Sequence, residues 1–451
     1  AGYTVIHDGS LLLGALGTLD ACVAVFKDTG NTCVILFSAG VGSLVALLQR
    51  SGGVEGFVTL ARNSRVVRGR RSAGLLTLLV GSSIFIETSI SAFVTGAVGR
   101  PLFDKLRISR EKLAYVCDTA SAPICILIPL NGWGAFILAQ LGGSSRVEDP
   151  VAALVCAIPL NFYAMTSLLL LLIVVVTGKD LGPMRVAERR ARDEGKLLRD
   201  GAVPMISDDV LALKPDPDVQ PRAINMILPL LFVVAMVPLG LAYTGVRNAP
   251  ADQAPGFWSV LESGSGSTAV FWSVTAGVAF AGLLYRAQRI MGIKEFVDVS
   301  MKGASALVPL AVLMMLAFAI GSLCRHELHT GDYVAALVGD KLASWAVAPV
   351  VFLTACGIAF STGTSFGTFA IMLAVAIPLA DAVGVRQELA VAAVLSGGVF
   401  GDHCSPISDT TIISSMASAS DHIDHVRTQL PYALMAGGVS AVLFAVAGAV
   451  L

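Results

Sequence analysis

The sequence predicts an all-α polytopic membrane protein with about nine to eleven spans and two re-entrant helical hairpins. It also predicts inverted-topology repeats whose helices break at the membrane midplane. Three observations predict this class. The first is composition: of 451 residues, 55% are hydrophobic and 14% charged, against about 25% charged in a soluble domain. The second is a series of uncharged runs: Thr29–Gln49, Val151–Gly178, Ala223–Val246, Ser263–Tyr285, Gly303–Cys324, Leu342–Ala380 and Leu430–Leu451. Each reaches the roughly 20 residues that a membrane helix needs. The third is the placement of Lys and Arg, because cytoplasmic loops carry the excess.

Taken in order, a short span is expected near Ser10–Phe26 and a full one at Thr29–Gln49. Arg50–Arg71 then carries six basic residues and Arg100–Lys112 five, so both flanks of Ser72–Gly99 belong to the cytoplasmic side. That segment is too short to cross twice, so it reads as a hairpin entering from the cytoplasm, with its tip at Gly81–Ser89. Leu113–Gly143 crosses outward with an interruption expected at Asp118–Pro123, and Val151–Gly178 returns. Ala223–Val246 goes out, Ser263–Tyr285 comes back and Gly303–Cys324 goes out again. Leu342–Ala380, split by Ser361–Thr368, is a second hairpin entering from outside. Leu389–Ala419 spans inward with a break, and Leu430–Leu451 spans outward. This topology leaves 25 of the 31 Lys and Arg residues cytoplasmic. The N-terminus lacks a basic region before its first apolar run, so no cleavable signal is expected.

The order of elements repeats with opposite sidedness. Residues 1–178 form one unit and 263–451 the other, with 223–246 as a connecting span. Such inverted repeats are the usual plan of secondary transporters. Residues 179–222 balance nine basic with nine acidic residues, and read as a partly flexible cytoplasmic linker with a short charged helix at Val186–Leu198. Arg289–Lys302 alternates apolar and charged positions at helical spacing, as an interfacial helix does. The eight cysteines are scattered through apolar segments without paired spacing and read as small core residues.

Five carboxylates fall inside apolar segments: Asp20, Glu87, Asp118, Asp402 and Asp409. No Lys or Arg accompanies them. A carboxylate unpaired in low dielectric must take a proton or bind a cation, so the cluster favours Na⁺ or H⁺. Asp118-Thr-Ala-Ser-Ala-Pro123 echoes Asp402-His-Cys-Ser-Pro406, which places Asp118 and Asp402 at equivalent breaks. Hydroxyls for a hard cation come from Thr119, Ser121, Ser405, Ser408 and Thr410, and Pro123 and Pro406 free backbone carbonyls. Na⁺ is expected at Asp402, Asp409 and Asp118. Capping of broken helices is the alternative role for these aspartates, and Glu87 equally suits a cap at the hairpin tip. Asp20 reads as a cap or an interface residue. His403 either relays protons or bonds the backbone.

The hairpin tips carry Ser82, Ser83, Thr88 and Ser89 on one side and Thr362, Gly363, Thr364 and Ser365 on the other. That density of hydroxyls exceeds what turns require and suggests substrate contact. Asn131 is a further polar group in an apolar span. The run Asp421-His-Ile-Asp-His425 invites a metal reading, but reads better as a solvated loop. No cofactor is expected beyond Na⁺ and H⁺ as transported or coupling ions. Membrane lipid is the expected surrounding, and no nucleic-acid partner is expected.

Gly401-Asp-His-Cys-Ser-Pro-Ile-Ser-Asp-Thr-Thr411, followed by Thr428-Gln-Leu-Pro-Tyr-Ala-Leu434, resembles the signature of the NhaC family of sodium/proton antiporters. Ser109-Arg-Glu-Lys-Leu-Ala-Tyr115 with Asp118 and Pro123, and Thr362-Gly-Thr-Ser-Phe-Gly-Thr368, match it too. The resemblance runs from about Leu36 to Leu434 outside the linker. It implies Na⁺/H⁺ exchange by alternating access, or for some relatives ion-coupled movement of small organic acids or amino acids. It also implies a homodimer in a bacterial cytoplasmic membrane, whose hairpins and broken helices move as a unit. The chain departs from the family at the first tip. Antiporter relatives carry paired aspartates there, and this sequence reads Phe85-Ile-Glu-Thr-Ser-Ile90, which leaves room for an organic solute. An intramembrane aspartyl protease using Asp118 and Asp402 is a remote alternative, and Val399 breaks its Gly-x-Gly-Asp pattern.

Overall fold

The computed structural model describes residues 11–62, 69–85, 88–204, 219–248, 264–329, 332–334, 336 and 342–451. Helices dominate, and no β-strand occurs among the described residues. Among the described residues eight helices are long and apolar enough to cross a membrane: Thr29–Arg50, Arg110–Gly142, Pro150–Glu194, Ile224–Asn248, Gly266–Ala287, Ser344–Thr362, Ser365–Val383 and His422–Val450, with two of these ranges interrupted. With no water in the hydrocarbon core, such helices satisfy their backbone groups internally.

Each segment read as a hairpin holds a pair of helices joined by a short turn. The first joins Arg70–Ser82 to Thr88–Lys105, and the second joins Ser344–Thr362 to Ser365–Val383 through Gly363 and Thr364. Glu87 lies outside the described residues, as does the side chain of Ser89.

The second broken helix runs Gln387–Cys404, stops at Ser405–Ser408 and resumes as Asp409–Ser418. Glycines let its first half lie against both legs of the second hairpin. A methyl at Gly397 would stand 2.5 Å from the Phe352 carbonyl oxygen, and one at Gly398 would overlap the Phe369 ring. Without a hydrophobic drive between helices in lipid, such close backbone approach is what holds them together. The same device joins the two halves of the chain. Methyls at Gly42 and Gly303 would each overlap the other's carbonyl oxygen.

The first broken helix differs from expectation. Asp118–Pro123 lies inside one continuous helix, Arg110–Leu127, and the break falls at Ile128–Asn131, before Gly132–Gly142. A proline removes one main-chain hydrogen bond, which a packed membrane helix tolerates. Asn131 makes the actual break. Its amide nitrogen lies 2.7 Å from the Cys125 carbonyl oxygen and 2.8 Å from that of Ile128, capping the helix that ends. Its Oδ1 accepts from the N–H groups of Trp133 and Gly134 at 2.9 and 3.1 Å, capping the helix that begins. Asn131 therefore stands where Ser408 stands in the second broken helix, and Asp118 has no positional counterpart in Asp402.

The linker's described part is docked, not loose. Its helix is Gly182–Arg189, followed by a wide turn at Arg190–Glu194, in place of the expected Val186–Leu198. Lys112 reaches Asp180 at 2.8 Å, Arg190 reaches Glu111 at 2.8 Å, and Glu188 accepts from both the N–H and the hydroxyl of Ser109 at 2.8 Å. Arg70 also pairs with Glu188. Arg199 binds Asp424 at 2.9 Å, and the Val203 N–H donates to Asp421 at 2.9 Å. Burial opposes ionisation of Asp421, and the N–H groups of Val203, Asp424 and Ile423 outweigh it, holding its carboxyl below the ordinary range. The interfacial segment forms Ile293–Ala306, and it exposes Ile293, Val297 and Met301 at helical spacing. The run Gly303–Cys324 is divided at Leu307 between this helix and Val308–Ser322.

Candidate functional site

Asp402 lies in the last turn of Gln387–Cys404, at 1% exposure. Its Oδ1 accepts from the Ser408 hydroxyl at 2.6 Å, across the break. Its Oδ2 accepts from Ser365, the first residue of the second hairpin's returning leg, at 3.2 Å. Thr410 lies 3.0 Å from Ser408, hydroxyl to hydroxyl, and Thr411 donates to the Asp402 carbonyl oxygen at 3.1 Å. The hairpin tip is fastened to the break beside it. Ser405 donates to the Phe360 carbonyl oxygen at 2.8 Å, and Gly363 abuts Ile407. A buried carboxylate is thus caged by hydroxyls. Among the described residues no Lys or Arg pairs with it, so it needs a proton or a cation.

Asp118 forms a second centre. It is fully buried, and its Oδ2 accepts from Gln429 of the C-terminal helix at 2.6 Å. The same Gln429 nitrogen donates to the His403 carbonyl oxygen, so one amide ties Asp118 to the residue after Asp402. The two aspartates do not hydrogen-bond to each other, and no shared dyad of the protease kind exists in this conformation. His403 does not bond the backbone through its ring. Its Nε2 is 2.9 Å from the Thr119 hydroxyl and its Nδ1 2.7 Å from the Tyr163 hydroxyl. Ser121 donates to its own helix, at the Asp118 carbonyl oxygen, over 2.9 Å.

Other expected residues fall elsewhere. Asp409 opens the second half-helix with its side chain exposed, not buried, because the break loop faces outward at Pro406 and Ile407. Thr362 and Ser83 are exposed and donate to carbonyls of their own helices, at Ile358 and Leu79. Thr364 precedes the returning leg without capping it through its side chain. Ser82 ends the first hairpin's entering leg and Thr88 begins its second, both half-buried. Asp20 is exposed on Leu11–Ala24. Asn131 fastens the first hairpin as Ser405 fastens the second, its amide nitrogen lying 3.0 Å from the Phe85 carbonyl oxygen. Trp133 then packs edge-on against Phe366 and Phe369 of the second hairpin, with ring centroids 6.3 and 6.0 Å away. Among the described residues no three His, Cys, Asp or Glu side chains group as a metal site.

The expected solvated loop at Asp421–His425 is instead a helix start. Asp421 caps His422–Val450 through the Asp424 N–H at 3.1 Å, and His425 is completely buried. His425 and Gln429, with Ser415 opposite, are site residues that sequence reasoning missed. The available signal was spacing: His422, His425 and Gln429 fall on one helical face behind an N-capping aspartate.

The inner end of the half-helix Asp409–Ser418 is held by the other half of the chain. Arg100 reaches the Ala417 and Met416 carbonyl oxygens at 2.6 and 2.5 Å, and Arg110 reaches that of Ser418 at 2.6 Å. Guanidinium groups here satisfy orphan carbonyls and complement the negative end of the helix dipole.

Comparison with known proteins agrees with this architecture. The family model described as the Na⁺/H⁺ antiporter family matches residues 144–449. An uncharacterised protein of Haemophilus influenzae is 32% identical over 428 residues, covering 93% of this chain and 79% of its own length. The malate-2H⁺/Na⁺-lactate antiporter of Bacillus subtilis is 38% identical over 105 residues, 22% of each chain. The solved structure of Neisseria gonorrhoeae MtrF, described with a class of antimetabolite efflux pumps, superposes with a TM-score of 0.55. It covers 96% of this chain and 84% of that one at 16% identity, a likeness of fold.

Proposed function

The chain belongs to the Na⁺/H⁺ antiporter family, and from that premise we propose that it exchanges Na⁺ for H⁺ at the Asp402 cage by alternating access. It is a multi-pass integral membrane protein and a secondary transporter of the antiporter class. Na⁺ is taken by the Asp402 carboxylate with the hydroxyls of Ser365, Ser408 and Thr410, a set of hard oxygens suited to a small cation. The observation that carries this reading is the buried carboxylate itself, held between a hairpin tip and a helix break by neutral donors alone. Asp409, exposed at the mouth of the break, draws the cation in by charge. The two hairpins and two broken helices travel together as an elevator, in the cytoplasmic membrane, with the basic loops inside.

In proteoliposomes, Asp402→Asn is expected to abolish Na⁺-driven proton movement, and a variant with unchanged exchange would overturn the assignment. A second reading couples Na⁺ to a small organic acid, and the lactate- and malate-exchanging relative favours it. A thermal-shift screen with Na⁺, Li⁺, K⁺, lactate, malate and amino acids separates the two. Stabilisation by Na⁺ alone supports simple exchange, and an organic acid that stabilises only with Na⁺ present supports coupling.

A further inference from the structure

The Na⁺ cage leaves Asp118 unassigned, although it is fully buried and its Oδ1 accepts no hydrogen bond. A continuous line of hydrogen bonds runs from its other oxygen to the surface. Gln429 Nε2 donates to Asp118 Oδ2, and Gln429 Oε1 faces His425 Nε2 at 2.8 Å. His425 Nδ1 lies 2.8 Å from Ser415 Oγ, which lies 3.0 Å from His422 Nδ1. The half-buried His422 turns its Nε2 to the Pro406 carbonyl oxygen, in the exposed break loop, at 2.7 Å. His425 Nε2 also stands only 3.9 Å from Asp118 Oδ2. We propose that His422, Ser415 and His425 form a proton relay that loads Asp118, so that the proton has its own carboxylate apart from the Na⁺ cage. The inference rests on the exchange reading given above.

Counting hydrogens supports a relay over a static network. His422 Nε2 faces a carbonyl oxygen and must carry a proton. The amide of Gln429 points its NH₂ at two acceptors, so its oxygen faces His425 Nε2, which must also carry a proton. Both Nδ1 atoms then face the one hydroxyl of Ser415, whose single hydrogen also has the Thr411 carbonyl oxygen within 2.8 Å. With both rings neutral, at least one of the two ring contacts therefore has no proton. An extra proton supplies one, and it can sit on either ring.

Transfer between the rings is balanced. His422 Nδ1–H passes its proton to Ser415 Oγ as Ser415 passes its own to His425 Nδ1, leaving the serine unchanged. The imidazolium at His425 then gives its Nε2 proton to the Asp118 carboxylate once the 3.9 Å gap closes. His425 is left neutral as the Nδ1–H form, and a tautomer shift back to the Nε2–H form readies it for the next proton.

The titratable groups around Asp118 are consistent with a site that accepts a proton. His425 faces it from the C-terminal helix and Asp409 from the half-helix. Asp402, His403 and Cys404 approach from Gln387–Cys404, Tyr163 from Phe162–Thr177, and Cys117 lies beside it in sequence. None of these is a lysine or an arginine. His425 in turn faces His422, His403 and Asp118.

The test uses the full chain in proteoliposomes, reading Na⁺-driven pH change, with Na⁺-induced thermal stabilisation measured on the same preparations. In His422→Gln and His425→Asn, Na⁺ stabilisation is kept while the exchange rate falls about tenfold to a hundredfold. The deficit grows toward alkaline pH, where free protons are scarce. Imidazole in the buffer restores the His422→Gln rate in proportion to its concentration. Asp118→Asn keeps Na⁺ stabilisation and moves no protons. Wild-type rates and pH profile in either histidine variant overturn the relay, and His422→Gln, near the surface, keeps the relay refutable if the buried variant fails to fold. Absence of Na⁺-driven proton movement in the wild type overturns the exchange reading instead, and the relay with it.

Discussion

Replacing Gly363 by alanine isolates the contact between the second hairpin tip and the break beneath it. The residue has φ +65°, and a Cβ there would meet Ile407 Cγ1 and the Ile407 carbonyl oxygen at 2.8 Å and its carbonyl carbon at 2.9 Å. A left-handed backbone costs a residue with Cβ about 1–2 kcal/mol. Overpacking against main-chain atoms that cannot swing aside adds about 1–3 kcal/mol. The tip therefore lifts from the break at a cost of about 2–5 kcal/mol, and lifting it withdraws Ser365 from Asp402. If Na⁺ requires the docked tip, the lower bound alone weakens Na⁺ at least about thirtyfold. The assay is the Na⁺ concentration giving half-maximal exchange, alongside the Na⁺-dependent shift in unfolding temperature. Gly357→Ala is the control, because it lies on the same helix with nothing within 4 Å of an added Cβ. Equal Na⁺ dependence in the two variants would refute the claim that the tip completes the cage.

Asn131→Leu removes two helix caps at once and leaves the Trp133 and Gly134 N–H groups unpaired, so stability falls by about 2–4 kcal/mol in a thermal melt. Glu188→Ala strips a buried partner from Lys112 and Arg70 and lowers stability by about 3–5 kcal/mol, whereas Asp200→Ala, at the exposed Lys196 pair, leaves the melting temperature unchanged. Gly303→Val forces apart the crossing with Gly42 and costs about 1–3 kcal/mol, read as a lower melting temperature with the Na⁺ shift preserved. Lowering the pH below the ordinary aspartate range, about 3.9, protonates the depressed Asp421 carboxyl and loosens the linker, seen as faster proteolysis near Val203.

The class of fold was legible because lipid imposes a simple rule: long uncharged runs become helices, and most of the observed helices follow those runs, Gly303–Cys324 excepted. Asp402 was legible for the same reason, since a carboxylate amid glycine and apolar residues stands out. The break at Asn131 was not. Proline is a louder breaker than asparagine in a sequence, yet Pro123 sits within a helix, while Asn131 ends one helix and starts the next through bonds that its side chain alone can make. The echo between Asp118–Pro123 and Asp402–Pro406 does not mark two breaks, because Asp118 and Pro123 lie within one continuous helix. Asp409 read as buried because its neighbours are apolar, but the break turns its side chain outward. His425 and Gln429 escaped because they follow a charged stretch, where burial is decided by the partners above them: Ser415, across a helix boundary, and Asp118, remote in sequence.

That remoteness has a consequence for how the chain is made. Asp118 waits for an amide 311 residues downstream, and Thr119 for an imidazole 284 residues downstream. At ribosomal speeds of about 5–20 residues per second, the first half resides in the bilayer for roughly 15–60 s with a carboxylate lacking its partner. Chains cut short before Gln429 lack the amide that bonds Asp118.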